Sequence, residues 1–159
     1  MEQALAKLAE YKKAIDEDIA AYAAAVRKST LKQYGQRVLD VEVDLFLDML
    51  QRGGKRIRGG LVMAGYEMCG GTDRQMIVQA ARAIEMLQAY ILIIDDIQDR
   101  SSLRRGKPTI HKLVEAYHRK HKLKGDPAHA GISLALMAAI SGAHIAQTVL
   151  ANLDADPEL

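Results

Sequence analysis

The sequence predicts an all-α chain folded as an antiparallel helical bundle, on three observations. Trp is absent, Phe46 is the sole Phe, and Ala, Leu and Ile dominate the apolar 49% of 159 residues, a composition that suits closely packed helices better than a β-sandwich. Apolar residues recur at helical spacing in one segment after another. Gly and Pro fall between those segments, and no run alternates apolar and polar residues as a half-buried strand would.

The first helix is expected from Gln3 to about Arg27, with Leu8, Tyr11, Ile15, Ile19, Tyr22 and Val26 along one face. A second begins after Gly35, passes through Val38, Val41, Leu45, Leu47 and Leu50, and stops at Gly53-Gly54, since paired glycines end helices. The basic turn Lys55-Arg56-Ile57-Arg58 follows. A third helix, from about Leu61 to Cys69, ends at Gly70-Gly71, and Thr72 or Asp73 can cap a fourth from about Gln75 to Asp99. Its run Ala80 to Ile94 is apolar nearly all round, which marks a helix buried inside the bundle. Arg100 to Thr109, with Gly106 and Pro108, reads as a connecting loop, and helical spacing resumes from Ile110 to about Lys122. Asp126-Pro127 supplies a capping oxygen and a first-turn proline for a last helix reaching about Asn152. Asp154 and Asp156 read as a linker or cap. With no internal repeat or low-complexity linker, residues 1–159 form a single helical domain.

Composition also excludes functions. A formal charge of +2, with basic residues scattered among nearly as many acids, argues against a nucleic-acid partner. The one cysteine, Cys69, excludes an internal disulfide and reads as a core thiol in a reducing compartment. The first residues lack the basic and apolar regions of a secretory signal. Ile132 to Val149 is interrupted by Ser141, Gly142, His144 and Gln147, so it is expected as a buried helix rather than a membrane span. A cytoplasmic location follows. The run His118 to Lys124 reads as a solvated helix end, and the five histidines show no metal-ligand spacing.

The chemistry concentrates at the end of the fourth helix, in Asp95-Asp96-Ile97-Gln98-Asp99. Helical geometry puts Asp95 and Asp99 on one face and Asp96 three residues from Asp99. Carboxylates so crowded at the negative end of a helix dipole need a counter-cation or raised pKa values. Magnesium, held by one or two carboxylates and by substrate phosphates, answers that need. Alone, such a pentapeptide reads as a solvated acidic helix end. Context changes the reading: Leu103-Arg104-Arg105-Gly106-Lys107-Pro108-Thr109 sets two guanidiniums close to the carboxylates, and guanidinium suits bidentate contact with phosphate. Gly53-Gly54-Lys55-Arg56-Ile57-Arg58 is a second basic group in a glycine-rich turn before a helix, where an anion is also favoured; its bland alternative is an exposed connecting turn.

Taken together, GGKRIR, AIEMLQAYILIIDDIQD and LRRGKPT resemble the polyprenyl synthetase (isoprenyl diphosphate synthase) family in order and spacing, closely over about residues 35–112. In character the chain is similar to the N-terminal half of geranylgeranyl and farnesyl diphosphate synthases. The resemblance implies the helical isoprenoid synthase bundle and a 1'-4 condensation of an allylic diphosphate with isopentenyl diphosphate. It implies that Asp95 and Asp99 bind magnesium bridging the allylic diphosphate, supported by Asp96, and that Arg104 contacts that diphosphate. Lys55, Arg58, Gln88 and Arg105 would bind the diphosphate of isopentenyl diphosphate. Gln88 stands where many members have His, and Gly59 where Pro is common. The departing diphosphate serves as base in the family, so no protein residue is assigned that role. The apolar wall from Ala80 to Ile94 would shelter the growing chain.

Tyr90 and Ile91, five and four residues before Asp95, fall where the family sets product length. An aromatic at Tyr90 and none at Ile91 favour geranylgeranyl over farnesyl diphosphate. The family implies a homodimer. It also implies a second aspartate-rich motif that this sequence lacks, so the chain alone is expected to be catalytically incomplete. A terpene cyclase shares the aspartate motif but has no use for a second diphosphate site. A non-catalytic helical partner of a synthase is the reading from another class, and intact motifs weigh against it.

Overall fold

The computed structural model of the chain describes residues 2–34 and 43–155. They form α1 (Glu2–Tyr34), α2 (Asp44–Gln51), α3 (Ile57–Met68), α4 (Arg74–Gln98), strands β1 (Leu103–Arg104) and β2 (Lys107–Pro108), α5 (Ile110–Lys120) and α6 (Pro127–Ala151). The helical bundle is as expected. The connection after Asp99 is more than a loop, because β1 and β2 pair as an antiparallel hairpin. The expected start of the second helix, with Val38 and Val41, and the expected cap residue Asp156 lie outside the described residues.

The helix α4 is the axis of the bundle, packing against α1, α2, α3 and α6, while α6 also packs on α5. Phe46 and Leu47 of α2, Ile15 and Ile19 of α1, Met86 and Ile93 of α4, and Ala135, Ala138, Ala139 and Ala146 of α6 share one core. Small residues on α6 allow that approach. A Cβ on Gly142 would enter the Phe46 ring, and one on Gly131 would sit 2.5 Å from the His111 carbonyl oxygen, so both crossings are filled to the backbone.

Helix ends follow local chemistry. Asp73 and Asp126 cap α4 and α6 by accepting from the Met76 and Ala128 amides, each at 2.9 Å. At the other end of α4, Arg100 takes φ +52° while its amide donates to the Ile97 carbonyl and that of Ser101 to the Asp96 carbonyl, a Schellman closure. Lys122, at φ +49°, closes α5 in the same manner.

Several expectations need correction. The helix α1 runs on to Tyr34 rather than stopping near Arg27, since no glycine or proline interrupts the chain before Gly35; Arg27 itself is tied to Asp44 and Gln51 of α2. The third helix starts at Ile57, so Gly59 and Gly60 lie inside it. Cys69 is exposed at the end of α3 and is no core thiol. The run Ala80 to Ile94 is not apolar and buried all round: Arg82 and Glu85 are buried on it, and Ile91 is 46% exposed. His118 is buried, with Nε2 3.1 Å from the Lys124 carbonyl oxygen, so the basic run is solvated only around it. By length and composition α4 and α6 could each cross a membrane, but 56% of the most apolar stretch of α4 is buried against 28% for α6. The expected buried helix α6 therefore covers one side only.

Candidate functional site

The acidic end of α4 splits into two environments. Asp96 turns inward and is 1% exposed, Asp95 is half-buried and Asp99 exposed. One oxygen of Asp96, Oδ1, accepts from Nε and Nη2 of Arg104 at 2.8 and 2.5 Å, while Oδ2 is buried without a partner. The bond to Asp96, then the fields of Asp96, Asp95 and Asp99, outweigh burial and raise the Arg104 pKa above its ordinary value. Among the described residues neither Asp95 nor Asp99 forms an ion pair.

The hairpin separates the two arginines. Its register pairs Arg104 with Lys107, leaving Arg105 and Gly106 as a two-residue turn with φ of +54° and +75°, the pattern of a type I′ turn. Arg104, on the strand, meets the acids. Arg105, at the tip, lies against Gly54, whose Cβ position is 2.8 Å from Arg105 Nη2. The expectation that both guanidiniums approach the carboxylates therefore holds for Arg104 alone. Burial first, then Arg56, lowers the pKa of the Arg105 guanidinium. The residue as a whole is exposed, with its guanidinium lying against the turn. Arg52 anchors the hairpin to α2 by bonding Asp48 and the Pro108 carbonyl, both at 2.8 Å.

Arg105 and Gln88 line one small cleft with Arg56, Glu85 and Leu92. Lys55 and Arg58 are exposed and do not line it. Gly54 has φ +147° and supplies the open backbone on which Arg105 rests. Gly59, in the first turn of α3, packs where a Cβ would be 2.9 Å from Ile15 Cδ1 and 3.2 Å from Glu85 Cγ. Its small size lets α3 meet α1 and α4. Tyr90 is half-buried and packs against the core, one turn before the acids.

Sequence reasoning passed over Arg52, Arg56 and Glu85. Glu85 carried a signal, since a lone carboxylate inside an apolar helical run needs a buried cation. Arg56 gave none, because nothing in GGKRIR tells which basic residue turns inward. It adopts φ +51° and is 6% exposed; a non-glycine residue so held carries strain on the order of 1–3 kcal/mol.

The acidic end suits a hard cation. Its donors are all carboxylate oxygens, Asp96 Oδ2 is an unpaired buried acceptor, and magnesium takes few protein ligands when phosphates complete its shell. Among the described residues no three acidic, imidazole or thiol groups already converge on one point, because Asp96 is turned to Arg104.

Residues 43–154 match the family model described as polyprenyl synthetase. The chain belongs to that family. It is 40% identical over 90 residues to the geranylgeranyl diphosphate synthase of Saccharolobus solfataricus, covering 57% of this chain and 26% of that protein. It is 46% identical over 63 residues to the short chain isoprenyl diphosphate synthase of Methanocaldococcus jannaschii, covering 40% and 19%. A crystal structure of geranylgeranyl pyrophosphate synthase from Corynebacterium glutamicum, complexed with isoprenyl diphosphate and magnesium, superimposes with a TM-score of 0.80 at 30% identity, over 94% of this chain and 43% of that one. This polyprenyl synthetase chain thus spans less than half the length of each of these relatives.

Proposed function

We propose that the chain forms the diphosphate-handling part of a trans-prenyltransferase, which joins an allylic diphosphate to isopentenyl diphosphate in a magnesium-dependent 1'-4 condensation and makes a short-chain prenyl diphosphate. One observation carries the reading: a single hairpin aims Arg104 at the aspartates and Arg105 at the glycine turn and Gln88. Two separate anion-seeking positions suit two diphosphate substrates. A terpene cyclase needs one of them, and a non-catalytic partner needs neither.

In this reading Asp95 and Asp99 hold magnesium and Asp96 supports them by fixing Arg104. Magnesium neutralises charge on the leaving diphosphate. The two bonds to Asp96 occupy Nε and Nη2 of Arg104 and leave Nη1 for an allylic phosphate oxygen. A donor fixed before reaction stabilises the developing charge without reorganising. Lys55, Arg58, Gln88 and Arg105 hold the second diphosphate. The departing diphosphate takes the proton, so no side chain acts as base. Leu87, Tyr90 and Ile94 give α4 an apolar side that keeps water from the cation.

Tyr90 and Ile91 set product length, with geranylgeranyl favoured over farnesyl diphosphate, so Tyr90→Ala in a chain that turns over lengthens the products. The protein works in the cytoplasm as a homodimer without a nucleic-acid partner, and α4 and α6 serve as bundle helices rather than membrane spans. The family's second aspartate-rich motif is not among these 159 residues, so the isolated chain binds diphosphate without multiple turnover.

Calorimetric titration with inorganic pyrophosphate tests the reading. Binding should require magnesium and weaken about tenfold or more in Asp95→Ala and in Asp99→Ala, the loss of a charged ligand's contact. Undiminished magnesium-free binding would remove the role given to these carboxylates.

A further inference from the structure

Beneath the glycine turn lies a buried charged cluster that the proposed reaction does not use. Arg56 spends its guanidinium on three elements at once. Its Nε donates to Asp16 Oδ1 of α1 at 2.8 Å, Nη1 to Glu85 Oε2 of α4 at 3.3 Å, and Nη2 to the Leu50 carbonyl of α2 at 2.8 Å. Every nitrogen is engaged and the side chain is 3% exposed, so the guanidinium is held within the fold. Glu85 completes the cluster, because its Oε1 accepts from the Gly59 amide at 3.0 Å. That amide belongs to the first turn of α3, whose N-cap is Arg56 itself, without a side-chain cap. A carboxylate from α4 thus does the capping that no local residue does.

The position of Arg56 also decides where its neighbours lie. Its left-handed backbone turns the chain between Gly54 and Ile57, and a non-glycine residue keeps that conformation only where the surroundings over-determine it. Gly54, two residues earlier, is the surface on which the Arg105 guanidinium rests. Lys55 precedes Arg56 directly, and Arg58 follows two residues later. Removing the clamp would free the seat of Arg105 while leaving Arg105 itself present.

We infer that Arg56, clamped by Asp16, Glu85 and the Leu50 carbonyl, is a positioning residue: it sets the glycine turn against Arg105 so that the second diphosphate meets preformed cations. This rests on the two-diphosphate reading above. Lys at this position keeps the charge but cannot reach three acceptors on three elements, so affinity should fall through geometry rather than through charge.

A double-mutant cycle on the full 159-residue chain tests it, with inorganic pyrophosphate as probe, calorimetry for affinity and circular dichroism for folding. Arg56→Lys should weaken binding about tenfold in the parent and less than about twofold in an Arg105→Ala background, because residues that act together are not additive. Should Arg56→Lys fail to fold, Asp16→Asn loosens the same clamp from α1 and should show a smaller loss that Arg105→Ala likewise cancels. Equal losses in both backgrounds would mean that Arg56 only stabilises the fold, and would overturn the positioning role while leaving the two-diphosphate reading in place. A parent chain that binds no pyrophosphate would sink that reading, and the positioning role with it.

Discussion

Arg104 and Asp96, eight residues apart, share two guanidinium hydrogen bonds on one carboxylate oxygen, while the other oxygen of Asp96 is buried and unpaired. The two partners are unequal, since Arg104 keeps 28% of its side chain in solvent and Asp96 keeps 1%. Removing Arg104 therefore strands a buried charge, whereas removing the charge of Asp96 leaves an arginine that can turn to water. Breaking a buried pair by deleting one partner costs about 3–5 kcal/mol. Arg104→Met should lower the unfolding free energy in urea by about 3 kcal/mol, and Asp96→Asn by clearly less. The reverse order would show that something other than Arg104 compensates Asp96.

Gly131 offers a test in which two principles oppose each other. It lies in α6, where alanine gains about 1 kcal/mol of helix propensity over glycine. Against that, the added Cβ would meet the His111 carbonyl oxygen at 2.5 Å, and a backbone atom of α5 cannot step aside as a flexible side chain can. Overpacking of this kind costs about 1–3 kcal/mol. Gly131→Ala should therefore destabilise the chain by about 1 kcal/mol net in a denaturant titration. A net gain would mean that α5 and α6 separate without cost.

These contacts also mark where sequence reading succeeds and fails. Asp73 and Asp126 act as caps at the expected helix starts, because a cap is a short-range bond that local sequence can specify. The ends of α4 and α5 fall one and two residues earlier than expected, since Arg100 and Lys122 occupy left-handed positions where glycine is the usual signal. The start of α3 was hidden for a different reason. The local sequence points to a start near Leu61, yet Glu85 caps the turn at Gly59 from another helix, and such a bond has no local signature. At the site, the spacing of Asp95, Asp96 and Asp99 was legible, but the division of labour between Arg104 and Arg105 was not. It depends on a tight turn with a positive φ at Arg105, which aims adjacent side chains at different walls.

Stability should depend on pH through His111. The residue is buried, and burial first, then the neighbouring Lys112, lowers its pKa below the ordinary 6.5 against the weaker pull of Asp96 and Glu115. The folded state thus resists a proton that the unfolded chain accepts. This contribution is fully present above pH 6.5 and is lost as pH falls from there through the depressed folded value. Urea midpoints measured on either side of that interval should show the loss, and His111→Gln should remove most of its slope. An unchanged slope in the variant would place the titrating group elsewhere.

The last expectation concerns the outer face of α6. Ile132, Leu136 and Ile140 repeat at a four-residue interval, and with Met137 they are 36–46% exposed, which places an apolar stripe in water along the first half of the helix. The inner face holds Gly131, Ala135, Ala138, Ala139 and Gly142, all buried, so small residues make the packing contact and large ones point outward. That is the reverse of a solvated surface helix, which turns its large apolar residues to the core. Water-exposed apolar patches of more than a few hundred Å² are uncommon on monomers and drive association. The isolated chain should therefore self-associate as its concentration rises, read by sedimentation velocity. Because the stripe contributes little to the interior, Leu136→Lys with Ile140→Lys should reduce association while keeping the helical circular dichroism. A parent chain that stays monomeric from dilute to concentrated solution would contradict this, and a double variant that associates as before would assign the association to another surface.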